Sequence, residues 1–364
     1  MAIDRQRRSL LLGCGAVAVG AIAWRYSPDS QQLLLSACDD GDGQHYLAAI
    51  GSDGKLKYRI PVAYRAHDIV MLSGQHAMYI GRRPAPVAYV VDIDAGVLVR
   101  TLHSPPDRHF YGHGALAADG LLYTSENDYE KRRGVIAVWD TNDSFRRLGE
   151  LDSGGVGPHD MAFLSDGKTL VIANGGIETH PDSEREKLNI PTMQPSLVYL
   201  DTASGRTIER IFPDDHLMSL RHLAVTPEDH VLIGVQYEGD DSEIVPLLLS
   251  HRGEDQLQAG IAGPAIWRSH RNYIASVAAS FDGRYAVLTA PRGGVASLWN
   301  LATLEQESQW RIRDVAGVAS TPDGALKLSS GYGQLFSIQP GAGSSLLHRD
   351  GNFAERWDNH LLLV

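Results

Sequence analysis

The sequence predicts an all-β fold, a seven-bladed β-propeller with four-stranded blades. Three observations predict it. Runs of four to eight β-prone residues alternate with turns every eight to twelve residues, and long helical periodicity is scarce. A unit of strand, Asp-Gly turn, strand, Gly-rich loop and strand ending in Asp or Asn recurs along the chain. A lone strand, His360 to Val364, stands at the end of the sequence without a neighbour of its own. Docked beside Leu33 to Ala37, it completes the first blade and closes the ring. A β-sandwich would leave both the repeat and this orphan strand unexplained.

The chain opens on Arg5-Gln6-Arg7-Arg8-Ser9, followed by an apolar stretch that runs to about Trp24 and contains Ala21-Ile22-Ala23. Twin arginines, a short apolar core and a small-x-small site read as a twin-arginine signal peptide over residues 1–23. The stretch is too short for a comfortable membrane span, although retention as an uncleaved anchor is the alternative. The expectation is therefore export to the periplasm, with no membrane association after cleavage. A short linker, 24–32, leads into a single propeller domain over 33–364. Cys14 leaves with the signal and Cys38 remains alone, which excludes an intramolecular disulfide, a zinc–thiolate cluster and a thiol redox pair.

Leu33 to Val62 supplies three strands and lacks an opening one. The clearest repeat copies are His113 to Asp140 around Ala118-Asp119-Gly120, His159 to Asp201 around Ser165-Asp166-Gly167, and Ile274 to Asn300 around Phe281-Asp282-Gly283. Weaker copies begin at His67, His222 and Gly317. Both His67 to His113 and His113 to His159 span 46 residues, within the usual length of a propeller blade. The step from His159 to His222 is 63 residues, and an insertion at 175–194 accounts for the excess.

His67, His113, His159, His222 and His360 open equivalent apolar runs. At the start of the innermost strand of their blades they would form an arc around one channel mouth. Blades six and seven carry Ser276 and Gly317 there, so the arc is open on one side, leaving room for an exogenous ligand. Converging imidazoles are the usual material of a transition-metal site. A single histidine at a strand start is more often a hydrogen-bonded structural residue; five at equivalent positions favour ligation.

The 175–194 insertion joins the second and third strands of blade four and emerges on the same face. It reads as a lid that offers His180 as a sixth ligand, with Glu178, Asp182 and Met193 as lid or supporting groups. Glu184 and Glu186 add to its acidity. His109 and His270 lie just upstream of inner strands, and Arg221 and Arg292 fall near strand ends where they could hold an anion. His45, His76, His103, His230, His251 and His348 fall in or near turns and read as solvated. Asp68 and Asp160 follow ring histidines directly, so strict alternation turns them away from the channel.

All-imidazole coordination suits iron or copper, with zinc as a further candidate. The formal charge of −11 leaves no basic footprint for nucleic acid. There is no Cys-x-x-Cys-His, P-loop, His-Glu-x-x-His or Gly-x-Ser-x-Gly motif. A calcium-dependent hydrolase would need Asp, Glu and Asn where the histidines stand. The chain does not read as a conventional enzyme; if it is one, a metal-dependent oxidoreductase fits.

Four further features carry a family resemblance. They are the twin-arginine leader, Asn174-Gly175-Gly176-Ile177-Glu178-Thr179-His180-Pro181-Asp182, Leu188-Asn189 with Met193-Gln194-Pro195-Ser196-Leu197, and Ala290-Pro291-Arg292-Gly293-Gly294. With them the chain resembles an uncharacterised family of exported bacterial seven-bladed propellers. Its members are encoded near imelysin-type iron-uptake proteins and dihaem-cytochrome-like oxidoreductases. The resemblance implies periplasmic handling of iron or copper and transfers no catalytic residue. The expected function is a metal-binding propeller in metal uptake, transfer or oxidation. The alternative is a metal-free scaffold that docks an imelysin-like or cytochrome partner.

Overall fold

Burial separates the strands of each repeat by position. Second and third strands such as Leu121–Asp128, Arg133–Asp140 and Val231–Tyr237 are buried almost throughout, because neighbouring blades cover both of their faces. Outermost strands such as Leu56–Val62 and Glu305–Arg311 alternate between more and less exposed residues, as half-covered strands must. The structure is a computed structural model and describes residues 32–72, 74–183, 186–341 and 346–364. The expected signal with Cys14, residues 24–31 of the linker, and Glu184 of the insertion lie outside the described residues. Gln32–Val364 forms one compact unit. No helix among the described residues is long and apolar enough to cross a membrane.

Seven antiparallel sheets make seven blades. The innermost strands of blades two to seven are Ala66–Met71, Arg108–Leu116, Pro158–Phe163, Met218–Val225, Ser276–Ala279 and Val315–Ser320. Blade one is completed from the far end of the sequence, as expected, but in two pieces. Arg356–Trp357 pairs with Asp39 and Cys38, and Leu362–Leu363 pairs with Leu35 and Leu34. Residues 358–361 leave the ladder between them. Ring closure buries apolar surface from both ends of the domain in one cluster, including Leu34, Cys38, Trp357 and Leu361. Cys38 is a buried free thiol within its strand.

The insertion in blade four emerges between Thr169–Asn174 and Ser196–Asp201, at the end of the channel where the inner strands begin. Asn189 anchors it: its Oδ1 accepts from the Glu178 amide at 2.7 Å and its amide nitrogen donates to the Gly176 carbonyl at 2.9 Å. One short helix, Pro264–His270, precedes blade six. There Trp267 stacks on Trp299, their ring centroids 4.9 Å apart.

Candidate metal centre

The inner strands do not run as regular ladders past their histidines. Pairing with the second strand shifts register between Ala66 and Ile69, Phe110 and Gly114, Pro158 and Asp160, and Leu220 and Leu223. His67, His113, His159 and His222 each sit inside one of these interruptions. His360 sits in the gap of the closing strand. A β-bulge adds a residue, bends the strand and re-aims its side chain. All five rings are thus turned toward the channel axis by breaks in otherwise regular sheets.

The rings meet in a compact knot. Ring centroids lie 4.5 Å apart for His67–His360, 4.6 Å for His113–His159, 4.7 Å for His159–His222 and 5.0 Å for His222–His360. This differs from the expected arc with an open side. A Cβ at Gly317 would lie 2.9 Å from Leu361 Cγ, so the terminal segment already fills that position. Ser276 is buried in its ladder opposite Thr289. Close approach also has a backbone requirement: Gly112 has φ +110°, and a Cβ there would lie 2.8 Å from His67 Cδ2.

Two trios, His67–His113–His159 and His113–His222–His360, each place candidate donor atoms within 4.8 Å of one another. Two nitrogens bound to one ion at about 2.1 Å each are at most about 4.2 Å apart, so small inward side-chain shifts suffice. Several buried ring nitrogens have neither a hydrogen-bond partner nor a carboxylate within ion-pairing distance among the described residues, Nε2 of His113 and Nδ1 of His159 and His222 among them. Such unpartnered buried nitrogens are costly unless something takes them up.

The carboxylates around the knot depart from strict alternation. Asp160 Oδ1 lies 3.3 Å and Asp68 Oδ2 3.6 Å from His113 Nδ1, and Asp68 Oδ1 lies 3.8 Å from His360 Nδ1. The bulges carry both the histidine and the following aspartate to the axis, which corrects the expectation that these aspartates face away. Neither has a Lys or Arg partner among the described residues, so together they offer negative charge to a bound cation. Burial alone would lower the pKa of His113, but Asp160 and Asp68 raise it to about 10. Burial lowers His67 to about 3, against the pull of Asp358. His159, His222 and His360 are also lowered, first by burial and then by neighbouring imidazoles.

Asp358 is a site residue that sequence reasoning missed. It is fully buried in the gap of the closing strand. Its Oδ1 accepts from His67 Nδ1 at 2.7 Å, and its Oδ2 accepts from Arg65 Nε at 2.6 Å and Arg82 Nη1 at 3.4 Å. A carboxylate on one ring nitrogen fixes the tautomer and leaves the other as a donor. No repeat position announces it; the signal available was an acidic residue two before the terminal histidine.

Other expected site residues are placed elsewhere. His180 stands beside Tyr129, ring centroids 5.1 Å apart, in a side pocket with Glu178, so the lid does not bring it to the knot. Asp182 is exposed next to His180, and Met193 is buried. His109 is buried beside Tyr111 and Tyr129, with a pKa lowered to about 4 by burial, Arg83 and His180. His270 is structural, bonded to the Ile266 carbonyl and to Ser297 Oγ, each at 2.8 Å. His230 and His251 are buried too, against the expectation for turn residues: Arg252 reaches His230 Nδ1 at 2.6 Å and Tyr199 reaches His251 Nδ1 at 2.5 Å.

A cavity of about 270 Å³ opens from the knot, walled by His67, His159 and His222 together with Arg83, Arg221 and Arg292. Lys187 of the insertion also borders it. The insertion therefore contributes a cation to the mouth, where a histidine or carboxylate was expected.

Comparison with known proteins agrees with the fold and assigns no activity to this chain. A family model described as "Protein of unknown function (DUF1513)" matches residues 60–364. No curated protein matches the sequence. Among solved structures, a chain of hydrazine synthase from Kuenenia stuttgartiensis is similar, with a TM-score of 0.60 and 14% sequence identity. The match covers 84% of this chain and 89% of that one, a likeness of fold alone.

Proposed function

The chain belongs to the DUF1513 family of proteins of unknown function, and from its own residues we propose that it is a metal-binding propeller of the periplasm, exported by the twin-arginine pathway. It holds iron or copper, with zinc as a third candidate, in metal uptake, transfer or oxidation. The observation that carries this reading is the knot of five inward-turned histidines with unpartnered buried nitrogens. Neutral imidazole donors without thiolate suit these metals. Asp68 and Asp160 supply the compensating charge a cation needs.

His67, His113, His159, His222 and His360 are the residues that would hold the ion, which supplies one-electron chemistry or is itself the cargo. Asp358 holds His67 in one tautomer. Asp160 and Asp68 beside His113 favour its protonated form, so binding of a cation there would be coupled to release of a proton. Native export followed by elemental analysis tests the reading, with the His113→Ala/His159→Ala double variant alongside. Stoichiometric metal in the wild type and little in the variant are expected; equal and negligible metal in both would overturn it.

A second reading, a metal-free scaffold for an imelysin-like or cytochrome partner, is favoured by one observation. Val97, Leu98 and Val99, on the outermost strand of blade two, are 51%, 41% and 53% exposed. A run of apolar residues on an exposed sheet edge is a common docking surface. The metal analysis separates the two readings.

A further inference from the structure

Three guanidinium groups share the cavity above the histidines, and none has a carboxylate within ion-pairing distance among the described residues; Glu238, which acts on Arg221 at longer range, is paired with Lys187. Arg221 is buried, Arg83 is partly buried and Arg292 is exposed. Arg292 lies over the Tyr273 ring at 4.2 Å, and Arg83 over Tyr111 at 5.9 Å. None of the three makes an ion pair among the described residues, and Arg221 Nε has no hydrogen-bond partner there. The other cations on the walls are already matched, Arg82 with Asp358 and Lys187 with Glu238.

A buried charge that is neither paired nor hydrogen-bonded is strongly unfavourable, and a protein keeps one where a ligand completes it. An anion in the cavity would relieve the unpaired charge of both Arg221 and Arg83. The backbone makes room for this arrangement. A Cβ at Gly175, at the root of the insertion, would lie 2.9 Å from Ser219 Oγ and 3.4 Å from Arg221 Cζ.

We propose that this cavity binds a small, multiply charged oxyanion, its carboxylate or phosphate oxygens seated on Arg83, Arg221 and Arg292 and facing His67, His159 and His222. Guanidinium forks match both kinds of oxygen bidentately. A volume of about 270 Å³ admits a phosphate or a small polycarboxylate. As a co-ligand of the bound ion the anion rests on the metal reading, whereas its arginine seat does not need the metal.

The test is isothermal titration of the full chain with citrate and, separately, with inorganic phosphate, before and after treatment with a chelator. Arg221→Gln and Arg83→Gln are titrated beside the wild type, with metal content and thermal unfolding measured on every sample. At least one anion should bind the wild type, and each variant should weaken it about tenfold or more. Arg221→Gln should unfold no lower than the wild type without anion, because it removes an unpaired buried charge.

Binding of citrate alone assigns a carboxylate ligand, and binding of phosphate alone a phosphate ligand. Anion binding by a chain that never holds metal supports the seat and removes the metal reading. A chain that holds metal but binds neither anion, or binds one equally well in both variants, overturns the inference and leaves the metal reading standing.

Discussion

Replacing Asp358 with Asn tests how the closing strand and the histidine knot depend on each other. The substitution keeps shape and removes charge from a fully buried group that accepts from His67 at 2.7 Å and Arg65 at 2.6 Å. Removing one member of a buried ion pair costs about 3–5 kcal/mol. Arg65 and Arg82 keep 32% and 22% of their side-chain surface, so water offsets part of the loss and about 2–3 kcal/mol remains. Unfolding entropy of about 2 cal/mol/K per residue turns that into a fall in Tm of about 3–4 °C for a domain of this length. Burial would raise the pKa of Asp358, but Arg82, His67 and Arg65 together hold it well below the carboxylate range. Its stabilisation is therefore present above the ordinary carboxylate pKa and lost only as pH falls through the folded value, so the difference from wild type persists at neutral and mildly acidic pH. His67 also exchanges a carboxylate acceptor for a weaker, neutral amide that can present either its oxygen or its NH2, and metal affinity should fall about 10–100-fold. The assays are thermal unfolding at neutral pH and chelator competition for copper(II) and zinc(II). A variant that matches the wild type in both would refute the role given to Asp358.

Two further outcomes follow from particular residues. Gly112→Ala places a Cβ 2.8 Å from His67 Cδ2 at φ +110°, and should cost about 1–3 kcal/mol in denaturant unfolding while weakening metal retention; unchanged values would mean that the bulge relaxes freely. Burial, against the pull of Arg147, raises the pKa of Glu126 to about 7. The folded state therefore binds more protons than the unfolded one between about pH 4.5 and 7, and the stability from this group declines as pH rises through that window. Glu126→Gln should remove that decline, read as the difference between the two stability curves, and parallel curves would contradict it.

The blade count, the closing strand and the five convergent histidines were legible because each is a repeated pattern, and repetition survives in sequence when contacts do not. What was illegible is local. Strict alternation places Asp68 and Asp160 away from the channel, yet bulges between Ala66 and Ile69 and between Pro158 and Asp160 bring them to His113. Bulges are decided by packing against the neighbouring blade, which no window of sequence contains. Asp358 belongs to no repeat copy, so periodicity could not find it. Arg83 follows Arg82 at a strand end like any surface pair, and only its place in the cavity wall, without an ion-pair partner among the described residues, sets it apart. The residue type of His180 suits a ligand, but its side chain packs on Tyr129 because the lid is pinned by Asn189, which fixes its path.

The distribution of charge around the channel would decide what can load it. Guanidinium groups and imidazoles share the cavity wall, while Asp68 and Asp160 lie against His113, which is not part of that wall. On the metal reading, a bare divalent ion arriving through the cavity would face uncompensated positive charge, whereas an ion carried as a net-negative complex would face an attractive field. The entrance would then discriminate by the net charge of the complex and not by the identity of the ion.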